Sequence, residues 1–511
     1  MFIKYFILGF CFWGIILVTL FCIRSKSRIH IETMESFGKI KKRIILIVMV
    51  TTILICTMPM GLSPIWNGEI PQHRNQYELM AEAILEGHLY IDYQDVDPLL
   101  LEMDNPYDRG ARDELNVEYH WDHAFYNGHY YMYFGVVPVF LLFLPYRVIT
   151  GTSLVTFHAT QIFVAVFICG VFATFYILSR KFFDQITFVM YLFLASAFSI
   201  MSVWYSIGTP ALYCTAITSA LCMEIWSLFF FIRAVWIEEN EKISILYAFL
   251  GSLLGALAFG CRPPVALANL LVIPMLVEYI RKRGIHLRVL KQLVFAATPY
   301  IIVGLLLMLY NYARFNNPFE FGQAYQLTIT DQSAYGDFAA QFDLVKIVNG
   351  VLQNFISYQP ISREFPYISF SGALVNFPIL IFSMIGLGRE EMREELTRKH
   401  LGHFVCGGVI LPLLITVIDV LWAPSLMSER YRMDIYWLMG IVCFIIIGFY
   451  SMNLAGLSQK RFSRSVCVWA LITICTCFLL FLVPNDGNYT SFVSGVLEKF
   501  ERVLKLGFWG R

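Results

Sequence analysis

Long apolar runs separated by short polar linkers dominate this sequence. A helix needs about 20 mostly apolar residues to cross the hydrocarbon core of a bilayer, and about twelve runs reach that length. They lie near residues 2–23, 44–66, 152–179, 185–208, 211–235, 243–262, 264–280, 291–314, 371–388, 403–423, 434–452 and 466–484. The first run lacks a small-residue cleavage site, so we interpret it as a retained span. The pattern predicts an all-α polytopic membrane protein.

Basic residues are concentrated in four linkers between these runs, near 24–43, 180–184, 281–291 and 453–465. The positive-inside rule places such linkers in the cytoplasm, so both ends of the chain are predicted to lie outside. A further apolar stretch, Tyr131 to Ile149, is long enough to span the membrane. Treating it as a span, however, would move every later basic linker to the outer side. We therefore predict a juxtamembrane or re-entrant segment, with Pro138 and Pro145 breaking its helix.

Composition agrees with a membrane protein and excludes one large class of partner. The 511 residues are 58% hydrophobic and 15% charged, well to the apolar side of soluble domains. The net charge of +1 lacks the clustered basic excess of nucleic-acid-binding proteins, so no nucleic-acid partner is expected. We expect a multi-pass protein of the plasma membrane, in contact with membrane lipid.

The predicted topology divides the chain into six regions. These are the first two spans (1–66), an outer loop with juxtamembrane helices (67–151), a central bundle (152–314), a second outer loop (315–370), the C-terminal spans (371–484) and an outer amphipathic tail (485–511). The first loop is strongly acidic, and many of its acidic residues simply form a solvated surface. Within it, Asn75 and Glu78 resemble a capping box, and the apolar spacing after them predicts a surface helix that stops at Gly87.

Four arginines at predicted outer ends of spans run against the charge bias: Arg262, Arg314, Arg430 and Arg432. A guanidinium group is always charged and presents a fork of donors that matches phosphate oxygens, so all four are candidates for binding a phosphate. The alternative is snorkelling, or a structural ion pair with a nearby acid such as Glu320, Glu429 or Asp434.

Asp122, in the stretch HWDHAFYNGHYYMYFG (120–135), is the carboxylate nearest the predicted membrane face. Partial desolvation there suits a general base or a group that holds a hydroxyl. The alternative is a loop carboxylate that caps a turn or pairs with His120 or His123. With His129 these residues also suggest a metal ion, but their spacing matches no closed zinc motif, so a divalent metal is the weaker interpretation.

Other acids occupy informative positions. Glu78 and Glu82 share one helix face and either supply a second acid or form a solvated stripe. Asp419 lies about four residues, roughly 6 Å, below the outer end of its helix, near enough to line a cavity. Glu224 lies near mid-membrane, where an acid pairs with another helix or serves as a proton relay in a transporter.

Several short motifs succeed one another along the chain. They are QYELMAEAILEGHLYID (76–92), NGHYYMYFG (127–135), AFGCRPPVAL (258–267), NYARFNNPFEFG (311–322) and RYR (430–432). Together they resemble the membrane glycosyltransferases of the C superfamily (GT-C), in particular bacterial family 39 or protein-mannosyltransferase-like proteins. The resemblance covers the chain from about residue 65 to 440 and implies a large outer loop with juxtamembrane helices.

The resemblance also implies site residues, with one departure. Relatives usually carry an acid shortly before the first-loop tyrosine, where this chain reads HRNQY (73–77). Asp122 then matches the second loop acid and becomes the leading base, with Glu69 and Glu78 the nearest substitutes for the missing acid. Arg262 matches the Arg-Pro that comes after a span. We expect the substrate cavity to include His123, Tyr131, Glu320 and Asp419.

The function these features predict is inverting transfer of a sugar from a polyprenyl-phosphate donor. The acceptor would be a glycan, lipid or protein at the outer face. Asp122 would orient or deprotonate the acceptor hydroxyl, while Arg262 with Arg430 or Arg432 would stabilise the departing phosphate. Two alternatives are open: a transporter or flippase of lipid-linked saccharide, suggested by Glu224 and the span count, and an inactive relative that binds the donor.

Overall fold

The computed structural model describes most of the chain. Its described residues are 30–35, 38–63, 75–93, 96–210, 212–333, 342–360, 366–422 and 429–483, with residues 495, 498 and 501. The predicted span near 2–23, Glu69 and nearly all of the predicted tail lie outside these ranges.

Within these ranges, ten helices are long and apolar enough to cross a membrane. They are Lys39–Leu62, Thr156–Phe182, Phe188–Gly208, Leu212–Ile237, Glu241–Phe259, Pro263–Arg283, Leu287–Phe315, Gly402–Trp422, Glu429–Met452 and Gly456–Phe481. Shorter helices are Gln76–Glu86, Pro98–Glu102, Arg109–Glu114, Leu144–Thr150, Leu344–Phe355, Ala373–Asn376, Ile381–Gly388 and Glu390–Arg398. The predicted all-α, multi-pass membrane architecture is confirmed.

Two predicted segments differ from expectation. The predicted span at 371–388 is broken before Pro378, because a proline disfavours helical geometry at the preceding residue, and Phe377 has φ of −128° and ψ of 73°. Only a short apolar helix, Pro378–Gly388, comes after the break. The stretch from Tyr131 contains a shorter apolar helix, Val139–Thr150, and differs from expectation in the role of its second proline. Pro145 does not break it, because this residue occupies the first turn of Leu144–Thr150, just after a π-helical turn.

The predicted surface helix is present as Gln76–Glu86, and it ends at Gly87 in the left-handed conformation, with φ of 93°. The capping-box interpretation was wrong, because the Asn75 side chain makes no cap hydrogen bond. Glu78 instead points to the next span, where it accepts two hydrogen bonds from Thr156. The helix is therefore attached to the bundle rather than free at the surface.

Three basic linkers meet at one end of the bundle. Arg180 donates to the backbone oxygen of Met34 over 2.6 Å. The side chain of Gln459 donates to the backbone oxygen of Gln185 over 2.9 Å. These contacts bring together the linkers at 24–43, 180–184 and 453–465, which are distant in sequence.

The fourth basic linker lies at the same end. The ring of Phe182 contacts that of Trp236, with centroids 5.5 Å apart, and Lys282 donates to the backbone oxygen of Val235 over 2.9 Å. We call this side of the bundle the basic end. All four predicted cytoplasmic linkers thus share one end, as linkers on one side of a membrane must.

The two long predicted loops pack together at the opposite end, which we call the loop end. Strands β1 (His123–Tyr126) and β2 (His129–Met132) form an antiparallel hairpin. Its turn uses Asn127 and Gly128, both with positive φ, the residue pair that favours two-residue hairpins. An isolated bridge between Ala124 and Gln326 joins β1 to the second loop, so the loops form one unit above the spans.

Candidate active site

Asp122 is held in place from three directions. Its backbone N–H donates to Leu327 over 2.9 Å, and its backbone oxygen accepts from the side chain of Gln76 over 2.9 Å. Its Oδ1 accepts from Nε2 of Gln326 over 3.1 Å. The residue is 6% exposed and has φ of 57°, a left-handed conformation that aspartate tolerates better than most residues. The carboxylate therefore has a defined position that both loops fix.

The chain after the hairpin rests directly on the turn that carries Arg262. A Cβ atom at Gly135 would lie 2.2 Å from the backbone oxygen of Gly260, so only glycine permits this approach. Two residues further, the N–H of Val137 donates to the same oxygen over 3.1 Å. These contacts place the segment that comes after the hairpin directly against the turn that carries Arg262.

Arg262 forms an ion pair with Asp434. Its Nε lies 3.0 and 2.9 Å from the two carboxylate oxygens, and Nη2 lies 2.7 Å from Oδ2. The side chain of Asp434 is fully buried and that of Arg262 is 16% exposed. Burial lowers the pKa of Arg262, but attraction to Asp434 more than offsets this and raises the pKa overall. Two roles were predicted for Arg262, phosphate binding and a structural ion pair, and this geometry is that of the ion pair. Its Nη1 makes no hydrogen bond with Asp434.

Asp419 lies beside this pair. The carboxylate is 4% exposed, and it acts electrostatically on Arg262. Its Oδ2 has no hydrogen-bond partner within the part of the chain that is described. Of these two acids, only Asp434 forms an ion pair with Arg262, and Asp419 acts on the guanidinium group from a longer distance.

Arg430 differs from Arg262 because it lacks an acidic partner among the described residues. No carboxylate of those residues lies within 4 Å of its guanidinium group. It stacks instead over the ring of Tyr213 at 3.9 Å and lies 5.4 Å from the ring of Tyr431. The guanidinium of Arg262 lies 5.0 Å from that second ring. The ring of Tyr431 therefore lies near two guanidinium groups. That of Arg262 is neutralised by Asp434, whereas that of Arg430 forms no ion pair with the described residues.

Tyr133 was not predicted from the sequence, and its hydroxyl is influenced electrostatically by both Asp122 and Arg262. Burial and the nearby Tyr431 raise the pKa of its hydroxyl to about 12, with smaller influences from Arg262 and Asp122. One hydroxyl group thus senses both the carboxylate and the guanidinium. We call Asp122, Tyr133, Arg262, Arg430 and Tyr431 the acid–guanidinium site. The motif NGHYYMYFG contained Tyr133, but three other aromatic residues in the same motif left nothing to single it out.

The other two candidate arginines are bound to protein groups. Arg314 is 5% exposed and donates to the backbone oxygen of Met132 over 2.9 Å and to Asn311 over 2.8 Å. Arg432 is 4% exposed and donates to the backbone oxygen of Ser371 over 2.9 Å. Each fixes a loop segment to the end of a helix, which is a positioning role.

Three further candidates lie near the hairpin. Glu78 caps the Thr156–Phe182 helix, and burial raises the pKa of this carboxyl, with partial compensation by its hydrogen bonds from Thr156. Glu320 accepts from the backbone N–H of Gly322 over 2.6 Å, within its own turn. Tyr131 packs its ring against Phe315 at 5.2 Å. Glu78 thus contacts the start of a helix, Glu320 stabilises a turn, and Tyr131 packs the hairpin against a span.

His123 is completely buried. Its Nδ1 lies 2.9 Å from the backbone oxygen of Trp121 and its Nε2 lies 3.0 Å from the hydroxyl of Tyr93. Burial lowers the pKa of this histidine to about 4, so the ring is neutral at physiological pH. It serves as a hydrogen-bonded core residue that holds the start of β1.

This burial predicts a stability change with pH. The folded pKa lies below the unfolded value of about 6.5, so the unfolded state binds the proton first. The stabilising contribution of neutral His123 should be complete above pH 6.5 and be lost as the pH falls towards 4. We expect the difference in melting temperature between wild type and His123→Gln to shrink over that window. A difference that stays constant with pH would contradict a neutral, buried ring.

Two other hypotheses, a metal site and a transporter, depend on particular groups of side chains. Among the described residues, no group of three or more His, Cys, Asp or Glu side chains could hold a metal ion. Glu224 accepts a hydrogen bond from Asn269 over 2.7 Å, and Asn269 in turn accepts from the hydroxyl of Tyr300 over 2.6 Å. The mid-membrane acid is thus part of a network that joins several helices.

An amphipathic helix lies beside the helix that carries Asp419. Gly350 of Leu344–Phe355 packs against Val420 so closely that a Cβ would lie 2.2 Å from that side chain. The opposite face is apolar and exposed, and it consists of Phe342, Leu344, Val345, Val348, Leu352 and Ile356. Such a face is typical of a helix that lies in a membrane interface.

Comparison with models of known protein families finds none that matches the sequence, and comparison with curated proteins finds no similar sequence. Among solved structures, the chain is similar to the crystal structure of the Archaeoglobus fulgidus oligosaccharyltransferase in its apo form, with a TM-score of 0.49 and 12% identity. The alignment covers 89% of this chain and 57% of that one, so the chain spans little more than half of that protein.

Proposed function

We propose that this protein is a membrane glycosyltransferase that moves a sugar from a polyprenyl-phosphate donor to an acceptor at the loop end, which faces away from the cytoplasm. The observation that carries this proposal is the acid–guanidinium site, where Asp122 and Arg262 both act electrostatically on the hydroxyl of Tyr133, and the guanidinium groups of Arg262 and Arg430 both lie near the ring of Tyr431. An acid that takes a proton and cations that hold a phosphate are the two groups that this transfer needs. The GT-C-like sequence motifs support the same class.

The reaction assigns each group one task. The acceptor hydroxyl binds at Asp122, which takes its proton as the hydroxyl oxygen attacks the anomeric carbon. The bond from that carbon to the phosphate oxygen breaks, and its electron pair leaves with the lipid phosphate. Attack from the side opposite the phosphate inverts the configuration at the sugar. The hydrogen bond from Gln326 holds the carboxylate of Asp122 in position for this step.

Arg430 is proposed to hold the donor phosphate directly. Arg262 is already neutralised by Asp434, and only its Nη1 remains for a ligand. Arg430 keeps its full charge and is oriented by the ring of Tyr213, which leaves its donors for a phosphate oxygen. Arg314 and Arg432 are proposed to position the loops around it.

Access for the lipid is proposed along the Leu344–Phe355 helix. The helix packs through Gly350 against Val420, which is next to Asp419 in sequence, and Asp419 acts electrostatically on Arg262. Its opposite face is apolar and exposed. A polyprenyl chain can lie against this face and in the surrounding lipid while the phosphate reaches the site. A nucleotide-sugar donor would need no such apolar path.

The test is a transfer assay on purified protein in vesicles, with a radiolabelled polyprenyl-phosphate sugar and an extract of cell-envelope acceptors. We expect label to leave the lipid pool with wild-type protein. Arg430→Gln should raise the KM for the donor by about 10- to 100-fold, since a hydrogen bond to a charged group contributes roughly 1.5–3 kcal/mol. Arg430→Lys should recover part of the loss.

A matched control for charge is Arg461→Gln, which removes an exposed arginine at the basic end. It should leave the donor KM unchanged. An unaltered KM in Arg430→Gln would refute the phosphate assignment. Absence of transfer by wild-type protein from any polyprenyl-phosphate sugar, in the presence of envelope acceptors, would count against the proposed activity itself.

The transporter alternative depended mainly on Glu224. Its hydrogen bond with Asn269 offers a packing role that requires no proton relay. A cavity for transport would also not need the packed pair of loops that holds Asp122. The enzyme is therefore the function that we favour.

A further inference from the structure

A cavity of about 520 Å³ lies at the basic end, far from the acid–guanidinium site. It opens between the helices Glu241–Phe259 and Leu287–Phe315, near the first turns of both. Its walls are formed by Ile245, Leu287, Arg288, Lys291, Gln292 and Phe295. Because both helices are membrane spans that begin here, the cavity lies at the level of the lipid headgroups on that side.

The polar wall of the cavity carries excess positive charge. Lys291 is exposed and makes no hydrogen bond or ion pair within the described ranges. Arg288 pairs with Glu241 over 2.6 Å, but that carboxylate is shared with Arg283 at 3.2 Å. One acid therefore faces several cations. The side chain of Gln292 accepts a hydrogen bond from Tyr279 over 3.1 Å, so its amide is held in a fixed orientation.

The apolar wall of the cavity continues along the spans. Leu287 is 69% exposed and Phe295 is 50% exposed. The ring of Phe295 stacks on that of Phe249 at 5.0 Å, so the aromatic surface extends from one helix to the other. A ligand that fills the cavity therefore meets cations at one end and hydrocarbon at the other.

We propose that this cavity binds one anionic phospholipid, whose phosphodiester headgroup contacts Lys291 and Arg288 and whose acyl chains lie against Leu287 and Phe295. A free phosphate would satisfy the cations but leave the apolar wall exposed. A zwitterionic lipid would satisfy the wall but bring its own cation to a positive site. The bound lipid would stabilise the packing of two spans that contact each other through their apolar faces. This site is independent of the proposed transfer reaction.

The test is lipid binding to purified, delipidated full-length protein in detergent, measured by native mass spectrometry as lipid is titrated. We expect phosphatidylglycerol to bind more tightly than phosphatidylcholine with the same acyl chains. Lys291→Gln should weaken phosphatidylglycerol binding about fivefold, the loss that accompanies removal of one cation near an anionic lipid. Lys291 makes no hydrogen bond or ion pair with the described residues, so this change should not affect folding.

The matched control is again Arg461→Gln, which removes a cation at the start of another span at the same end. It should leave binding unchanged. Equal binding of the two lipids by wild type would overturn the proposal, as would an equal loss in the control, because either result indicates only diffuse attraction. Displacement of the lipid by millimolar inorganic phosphate would also overturn it, since the headgroup alone would then account for binding.

Discussion

Asp122→Asn should reduce transfer by about 10²- to 10⁴-fold, the usual contribution of a general base. Asparagine has nearly the same shape as aspartate and can still accept the hydrogen bond from Gln326, so the loop structure should survive. It cannot take a proton from the acceptor hydroxyl, so the loss should fall on kcat. The measurement is the transfer assay on vesicles, together with the melting temperature of the variant.

A second carboxylate on the same loop supplies the control. Asp113 lies on the surface, where it forms an ion pair with Arg109 over 3.2 Å. Asp113→Asn makes the same chemical change and should keep near-normal activity. Full activity in Asp122→Asn would refute its role as base. Loss of activity in both variants, with normal folding, would indicate a general dependence on loop charge instead.

Asp434→Asn should destabilise the protein by about 3–5 kcal/mol, the cost of leaving one member of a buried ion pair without its partner. Asp434 is fully buried and binds Arg262 through three short contacts, so no solvent is available to replace it. Asparagine offers a single oxygen and no charge. Thermal or denaturant unfolding of the purified variant measures the effect.

Asp419→Asn is the comparison for this prediction. The carboxylate is just as buried, but its Oδ2 has no hydrogen-bond partner in the described structure. We therefore expect little change in stability, or a small gain. If Asp434→Asn were as stable as wild type, the pair with Arg262 would not be what holds these helices together.

The spans could be predicted because each depends on its own residues. A run of about 20 apolar residues is sufficient to fill a bilayer, wherever its neighbours lie. The prediction failed at 371–388, where Pro378 holds Phe377 outside helical geometry and breaks the run. That error could have been avoided, because the proline is visible in the sequence. The Asn127–Gly128 hairpin signal was visible as well.

The candidate site was predictable only in part. Asp122 and the arginines were identified because a charge near a membrane is unusual. Their roles were not, because Arg262 and Asp434 are 172 residues apart and the sequence offered several acids as partners. Tyr133 and Gln326 were missed because neutral side chains carry no such signal. Glu78 was proposed as an acid, and the sequence did not predict the two hydrogen bonds that it accepts from Thr156 at the start of the next span.

The sequence by itself determined the membrane architecture, the grouping of basic linkers and the short list of charged residues at the loop end. Only the tertiary structure decided which arginines are bound to protein groups and which one, Arg430, has no carboxylate within 4 Å among the described residues. The physical reason is the range of each effect. The free energy of transferring a helix into lipid is a sum over residues that are neighbours in sequence. The energy of an ion pair depends instead on the distance between atoms from remote parts of the chain, which only folding brings together.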